Sequence, residues 1–218
     1  MKFQTNTLSQ QIADYIASQI ASGQLKPGER LIEENLKEEF GTSRAPIREA
    51  MLLLENRGVI ERIARRGVFV KEYSKKEILD FYKVVYDLTR YAINECNEEK
   101  AHEIIKTVKN VLKDLKKAVD KEDLKECFDL IEVIHQQIFE LPNNSTLVDI
   151  YLRLNLQWTT FRYLTLSHPD SLRRSWMEYK EIFEAIERKD YKEAIDMVDI
   201  KEKRALNIIK KFSSDDMF

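Results

Sequence analysis

Apolar positions return at helical spacing through most of this chain, and the places where that rhythm breaks divide it into elements. Leu8, Ile12, Ile16 and Ile20 predict an opening helix over Leu8 to Ala21, stopped at Gly23. The turn Leu25-Lys26-Pro27-Gly28 leads to a short helix carrying Leu36, then to the turn Phe40-Gly41-Thr42-Ser43. Beyond it Ile47, Ala50, Met51 and Leu54 recur at i, i+3, i+4 and i+7, the spacing of a helix with one buried face. Ser43 is placed to cap that helix, and Pro46 sits in its first turn, where a missing N–H removes no helical bond. Gly58 ends it, and the rhythm then changes to β-branched alternation over Val59 to Ile63 and Gly67 to Val70. That hairpin is tipped by Arg65-Arg66-Gly67. Helix, turn, helix and basic hairpin in this order predict a winged helix-turn-helix.

From Val68 to Phe218 there is no glycine, which predicts long helices joined by short loops. Six are expected: roughly Lys75 to Cys96, Glu98 to Val119, Lys121 to Leu141, Ser145 to Thr165, Ser171 to Lys189 and Tyr191 to Phe212. Asn143-Asn144 and His168-Pro169-Asp170 are the clearest breaks. The first helix carries a stripe of Ile78, Phe81, Val85, Leu88, Ala92 and Cys96. The expected fold class is therefore mainly α, with an N-terminal winged domain over residues 1–73. An all-α bundle of about six helices follows over 74–218, with an interior large enough for a small ligand.

Charge changes the reading of the first domain. Arg44 to Lys71 holds seven basic residues against three acidic ones, +4 locally, whereas the 218-residue chain sums to −2. Positive charge is thus focused on the helix-turn-helix and its wing, as double-stranded DNA requires. Arg44 and Arg48, four apart, share a solvent face at the start of the second helix, where free N–H groups favour phosphate and arginine can fork onto guanine. No apolar run reaches the ~20 residues of a membrane span and no leader is evident at the N-terminus, so a cytoplasmic protein is expected. Cys96 and Cys127 are too few for a disulfide framework and read as buried free thiols.

Three polar residues interrupt the apolar stripes of the helical domain. His135 falls in line with Phe128, Ile131 and Ile138, with Glu132 one turn before it. Tyr179 lies among Leu172, Trp176, Phe183 and Ile186, and Lys201 among Ala194, Val198 and Ala205. An inward His or Tyr needs one hydrogen bond, but lysine is almost never fully buried without a partner. Lys201 therefore points to a cavity, water or an anion. With His135 and Tyr179 as neutral donors and Arg162 as a second clamp, the set suits an anionic effector such as an organic acid. No nucleophile, glycine-rich phosphate loop or paired carboxylate accompanies His135 and Lys201, which argues against an enzyme.

The runs Leu31 to Leu36, Gly41 to Ala50 and Leu54 to Ile60 resemble the GntR family of bacterial transcriptional regulators. The resemblance implies that Ser43, Arg44, Ala45 and Arg48 face base edges or adjoining phosphates, with Arg66 and Gly67 forming the wing contact. Ala45 stands where the family often has Thr, which removes a hydroxyl contact. The remaining chain resembles the FadR-type effector domain of that family, through His135-Gln136-Gln137-Ile138 with Asn144, and through Glu178 to Ile182 leading to Ala185, Ile186, Asp190 and Ala194. Many members hold a divalent metal through an Asp and three His. Here only His135 of that set remains, with Ile131, Tyr179 and Lys201 at the other positions and Val85 and Thr89 replacing an Arg and a Glu. The resemblance implies a homodimeric regulator that represses from a palindromic operator and is modulated by a small metabolite. Two alternatives stay open: a divalent metal on a reduced site of His135 and Glu132, or a helical domain serving only dimerisation.

Overall fold

The computed structural model describes residues 7–21, 23–166 and 170–211. In chain order the elements are α1 (Leu8–Ala21), β1 (Arg30–Leu31), α2 (Glu33–Glu39), α3 (Arg44–Asn56), β2 (Ile60–Ile63) and β3 (Gly67–Val70). They are followed by α4 (Lys75–Asn94), α5 (Glu98–Asp120), α6 (Leu124–Glu140), α7 (Ser145–Leu166), α8 (Ser171–Glu187) and α9 (Tyr191–Lys211). Two compact units result. The first runs to Ser74 and includes Leu154–Tyr163 of α7, and the second holds Lys75–Arg153 and the helical segments from Leu164 onward.

In the first unit α1 and α3 bury Ile12, Ile16, Ile20, Ile47, Met51 and Leu54 against Val59, Ile60, Val68 and Val70 of the wing. Each large side chain removed from water contributes roughly 1.5–3 kcal/mol, which fixes the rotation of α3 about its axis. The inward face of α1 is Ile12, Ala13, Ile16, Ala17 and Ile20, while Leu8 is exposed, one turn before the core begins. The sheet has the order β1-β3-β2, both pairs antiparallel. β1 is an addition to the expected hairpin. Arg30 opposes Phe69 and Leu31 opposes Val68, and two residues are too few to show alternation in a sequence. β2 pairs with β3 from Ile60↔Val70 to Ile63↔Gly67, leaving a three-residue turn in which Arg65 has φ +62°.

Ser43 occupies the N-cap of α3 in extended conformation, but its side chain makes no capping hydrogen bond. Pro46 stands at N3, and its nitrogen has no hydrogen to offer the serine hydroxyl, which removes one of the two N–H groups that an N-cap side chain can accept from.

The second unit is helical among its described residues. Asn97 caps α5 by accepting from the Lys100 N–H at 3.0 Å, and Asp123 caps α6 by accepting from Glu126 at 3.0 Å. The Asp123 cap explains why α6 begins at Leu124 rather than Lys121. α4 turns inward with Ile78, Tyr82, Val85, Tyr86, Thr89, Ala92 and Ile93, whereas Phe81, Leu88 and Cys96 are only half-buried. Polar groups on this face are internally satisfied: the Thr89 hydroxyl donates to the Val85 carbonyl at 2.9 Å, and Tyr82 shares a 3.2 Å hydrogen bond with Thr165. α8 likewise buries Ser171, Ser175 and Glu178, leaving Leu172 and Trp176 half-buried. Phe128 on α6 is half-buried too. Cys127 is buried and burial pushes its thiol up to about 11, but Cys96 is half-buried, at odds with the expectation for that thiol. His102 is exposed, and His168 lies outside the described residues. No helix among the described residues is long and apolar enough to cross a membrane.

Candidate nucleic-acid interface and buried charged cluster

The exposed side of α3 carries Ser43, Arg44, Ala45 and Arg48, all solvent-accessible, while Ile47, Ala50, Met51 and Leu54 hold the opposite side in the core. Two guanidinium groups therefore project from a rigid first turn. Arg44 Nη2 lies 2.8 Å from Glu34 Oε2, and Arg48 Nε lies 2.9 Å from Glu33 Oε2. The hydrogen bond and charge of Glu34 raise Arg44 further above its ordinary range, so it is a permanent cation.

At the wing Arg65 and Arg66 are exposed, and the Arg66 guanidinium sits 5.7 Å from the Phe69 ring centroid. Gly67 has φ +121°, a conformation L side chains rarely adopt, and a Cβ placed there would lie 3.0 Å from Arg30 Nε. Arg30, exposed on β1, thus brings a third arginine to the wing. Reading the chain locally misses it, because its place depends on a strand partner 39 positions away.

The second site is a cluster of charge inside the helical unit. Lys201 Nζ donates to Glu178 Oε2 at 3.0 Å and to Ser175 Oγ at 3.2 Å. Arg204, one turn further along α9, grips the same carboxylate with two bonds of 2.7 Å, Nε to Oε1 and Nη2 to Oε2. Its Nη2 also donates to Ser175 at 3.0 Å, and Nη1 reaches Ser171 at 3.5 Å. The side chains of Lys201, Glu178 and Arg204 are 9%, 9% and 15% exposed. Burial pushes the Glu178 carboxyl up, but the Lys201 charge and the Arg204 hydrogen bonds outweigh it and hold the group below its usual 4.5. Two cations thus share one carboxylate in a desolvated setting.

His135 and Tyr179 join this cluster. The Tyr179 hydroxyl and His135 Nε2 are 2.5 Å apart, and the Lys201 ammonium lies 4.0 Å from the Tyr179 ring centroid. Tyr86 faces the same groups, and burial pushes its phenol well above 10, so it is neutral. Of the expected effector residues, the structure brings His135, Tyr179 and Lys201 together. Arg162 is buried on α7, where Nη2 donates to Thr159 at 2.9 Å and the guanidinium lies 5.8 Å from the Trp158 ring centroid.

A metal does not fit this arrangement. Glu132, the donor expected beside His135, accepts a 2.7 Å hydrogen bond from Tyr151, and the His135 Nε2 is engaged by Tyr179. Among the described residues no group of three or more His, Cys, Asp or Glu could hold a metal ion. A zinc site wants about four donors, and a dication beside the Lys201 ammonium would be repelled.

Glu178, Ser175 and Arg204 are the members that expectation omits. Their signal is present but weak: Ser171, Ser175 and Glu178 at i, i+4 and i+7 on one helix, and Lys201 and Arg204 at i and i+3 on another.

A buried-core helix-turn-helix with an arginine-bearing wing, followed by a helical unit closed around internal charge, is the architecture of a DNA-binding transcriptional regulator. A model of bacterial regulatory proteins of the gntR family matches residues 8–70, and an FCD domain model matches residues 80–199, more than half the chain. The chain belongs to this gntR family, in its FCD-containing form. It is 29% identical over 182 residues to the HTH-type transcriptional regulator YdhC of Bacillus subtilis, covering 83% of this chain and 81% of that protein. With the gluconate operon transcriptional repressor of Bacillus licheniformis it shares 27% identity over 174 residues, 79% and 70% of the two chains. Escherichia coli McbR/YncC superposes with a TM-score of 0.80 at 22% identity, covering 95% and 99%, and shares the fold.

Proposed function

We propose that the protein is a ligand-responsive repressor of the FadR type that binds a palindromic operator as a homodimer. A small organic anion in the helical domain sets its affinity for DNA. Residues 1–73 form the DNA-binding domain and 74–218 the effector and dimerisation domain. Ser43, Arg44, Ala45 and Arg48 face the major groove, and Arg65, Arg66 and Gly67 touch the backbone or minor groove. The observation that carries the effector reading is the gathering of buried cationic and polar donors at one place. Lys201 and Arg204 both bind the single carboxylate of Glu178, beside the Tyr179 ring and the His135–Tyr179 hydrogen bond. A small anion would meet these two cations, with His135 and Tyr179 as flanking polar groups. The dimer reading is supported by α4, where Val84 and Tyr91 are 53% and 45% exposed with Phe81 and Leu88 half-buried along the same face. A second copy would cover that stripe. The B. licheniformis relative is itself described as a repressor.

An effector that prefers one arrangement of the dimer changes operator affinity by its differential binding, about 5- to 150-fold for a coupling of ~1–3 kcal/mol. Titration calorimetry with small organic acids tests the site: Lys201→Ala is expected to abolish binding, and unchanged affinity overturns the assignment. In gel shifts against an operator selected from random DNA, Arg44→Ala is expected to collapse binding that weakens steeply with salt. One observation favours a second reading: Glu178 satisfies Lys201 within the chain, as a purely structural staple would. That reading gains if no organic acid raises the melting temperature.

A further inference from the structure

The first turn of α2 bears two acidic residues, and both are paired across to α3 rather than left in solvent. Glu33 takes Arg48 and Glu34 takes Arg44, while Glu34 also takes Lys37 from its own helix. Acidic residues at a helix N-terminus complement the helix dipole, but that accounts for their presence in the turn, not for reaching the two arginines of the neighbouring helix. The geometry is uneven. The arginine side chains are 61% and 62% exposed, whereas Glu34 and Glu33 are 42% and 28% exposed, so the guanidinium groups lie outermost over carboxylates set beneath them. A carboxylate offers guanidinium the same paired oxygen acceptors as a phosphate.

We infer that Glu33 and Glu34 are specificity-determining residues that act as an internal phosphate surrogate, keeping part of the Arg48 and Arg44 guanidinium groups engaged and leaving their other donors to read bases. This rests on the reading that those arginines face DNA. Phosphates of arbitrary sequence compete with carboxylates already in place, so non-specific binding is held down. At the operator, guanine edges use donors of the five-donor guanidinium that remain after the carboxylate bond, and the anchored stem keeps the fork aimed. The ratio of specific to non-specific affinity, rather than affinity itself, is what the two glutamates raise.

The test uses the full chain, a fluorescent 30-base-pair duplex of arbitrary sequence, and a second duplex selected from random DNA with the unmodified protein. The variant is Glu33→Gln with Glu34→Gln. Its control is Glu38→Gln with Glu39→Gln, an equal charge change at exposed positions in the last turn of the same helix. Affinity of the first variant for the arbitrary duplex is expected to rise about 2- to 30-fold, the range two exposed ion pairs correspond to, with a smaller gain on the selected duplex. The control is expected to change both affinities by the same modest factor. Equal behaviour of variant and control, or an unchanged specificity ratio, overturns the inference. In an Arg44→Ala, Arg48→Ala background the glutamate variant should match its control, and a persisting difference also overturns it. Arg44→Ala leaving operator binding intact would instead refute the DNA-contact reading beneath it.

Discussion

Removing Glu178 and removing Lys201 are expected to have unequal consequences, and the size of the difference follows from the bond pattern. Glu178 accepts from Lys201 and, twice, from Arg204. Glu178→Leu leaves two buried cations facing each other, and breaking a buried ion pair from one side costs roughly 3–5 kcal/mol. Lys201→Met is different. It leaves the two-bond pair of Arg204 and Glu178 neutral and intact, and it places an unbranched apolar side chain over the Tyr179 ring, so a cost below about 1.5 kcal/mol is expected. For a domain of this size each kcal/mol moves the melting temperature by about 2–4 °C, giving a drop of about 6–20 °C for the first variant and under about 6 °C for the second. Tryptophan fluorescence is a suitable probe, because the chain's two tryptophans, Trp158 and Trp176, lie on α7 and α8. A Lys201→Met variant as destabilised as Glu178→Leu would refute the reasoning, since it would mean that Glu178 depends on the ammonium rather than on Arg204.

The same carboxylate predicts a pH response. Because Glu178 is held below its usual 4.5, its stabilisation is complete above about pH 4.5 and is lost as pH falls through the depressed value; acid melts of Glu178→Gln should lack that limb. Gly67→Ala forces a side chain into φ +121° and against Arg30, at about 1–3 kcal/mol, and should accelerate hydrogen exchange across β2 and β3; unchanged exchange would show the turn is unstrained. Zinc or nickel titrated into chelator-treated protein should give neither binding heat nor a rise in melting temperature, and a micromolar site would refute the donor assignment around His135. If the exposed stripe of α4 is a dimer face, Val84→Asp is expected to shift the protein towards monomer in analytical ultracentrifugation, and an unchanged mass would refute that assignment of the stripe.

The winged half is readable because its determinants are local. The Ile47, Ala50, Met51, Leu54 stripe, the Gly58 stop and the Arg65-Arg66-Gly67 tip each declare themselves within a dozen residues, and α3 is found at Arg44–Asn56 with that stripe buried. What escapes is non-local or cancels locally: the pairing of β1 with β3, and the idle Ser43 cap, where Pro46 three positions on removes one of the two N–H groups it could accept from. In the helical half, counting only apolar residues rotates α4 slightly off its true face. Tyr82, Tyr86 and Thr89 are buried because each is large or short enough to be covered and, for Tyr82 and Thr89, because the hydroxyl finds a partner on the way in.

Lys201 shows how far a single-residue rule reaches. Lysine in an apolar stripe must have a partner, and that much is decided by solvation alone. Which partner is decided by packing. The carboxylate stands 23 positions upstream on another helix, and no spacing within α9 announces it. A neutral pair would have closed the matter in favour of a structural role. Arg204 reopens it, because a second buried cation on the same carboxylate would give an incoming anion two cationic donors to meet. The effector reading therefore rests on Arg204 as well as on Lys201, and Arg204→Met should weaken organic-acid binding at least as much as Lys201→Met does. Full retention of binding in Arg204→Met would return the cluster to a purely structural role.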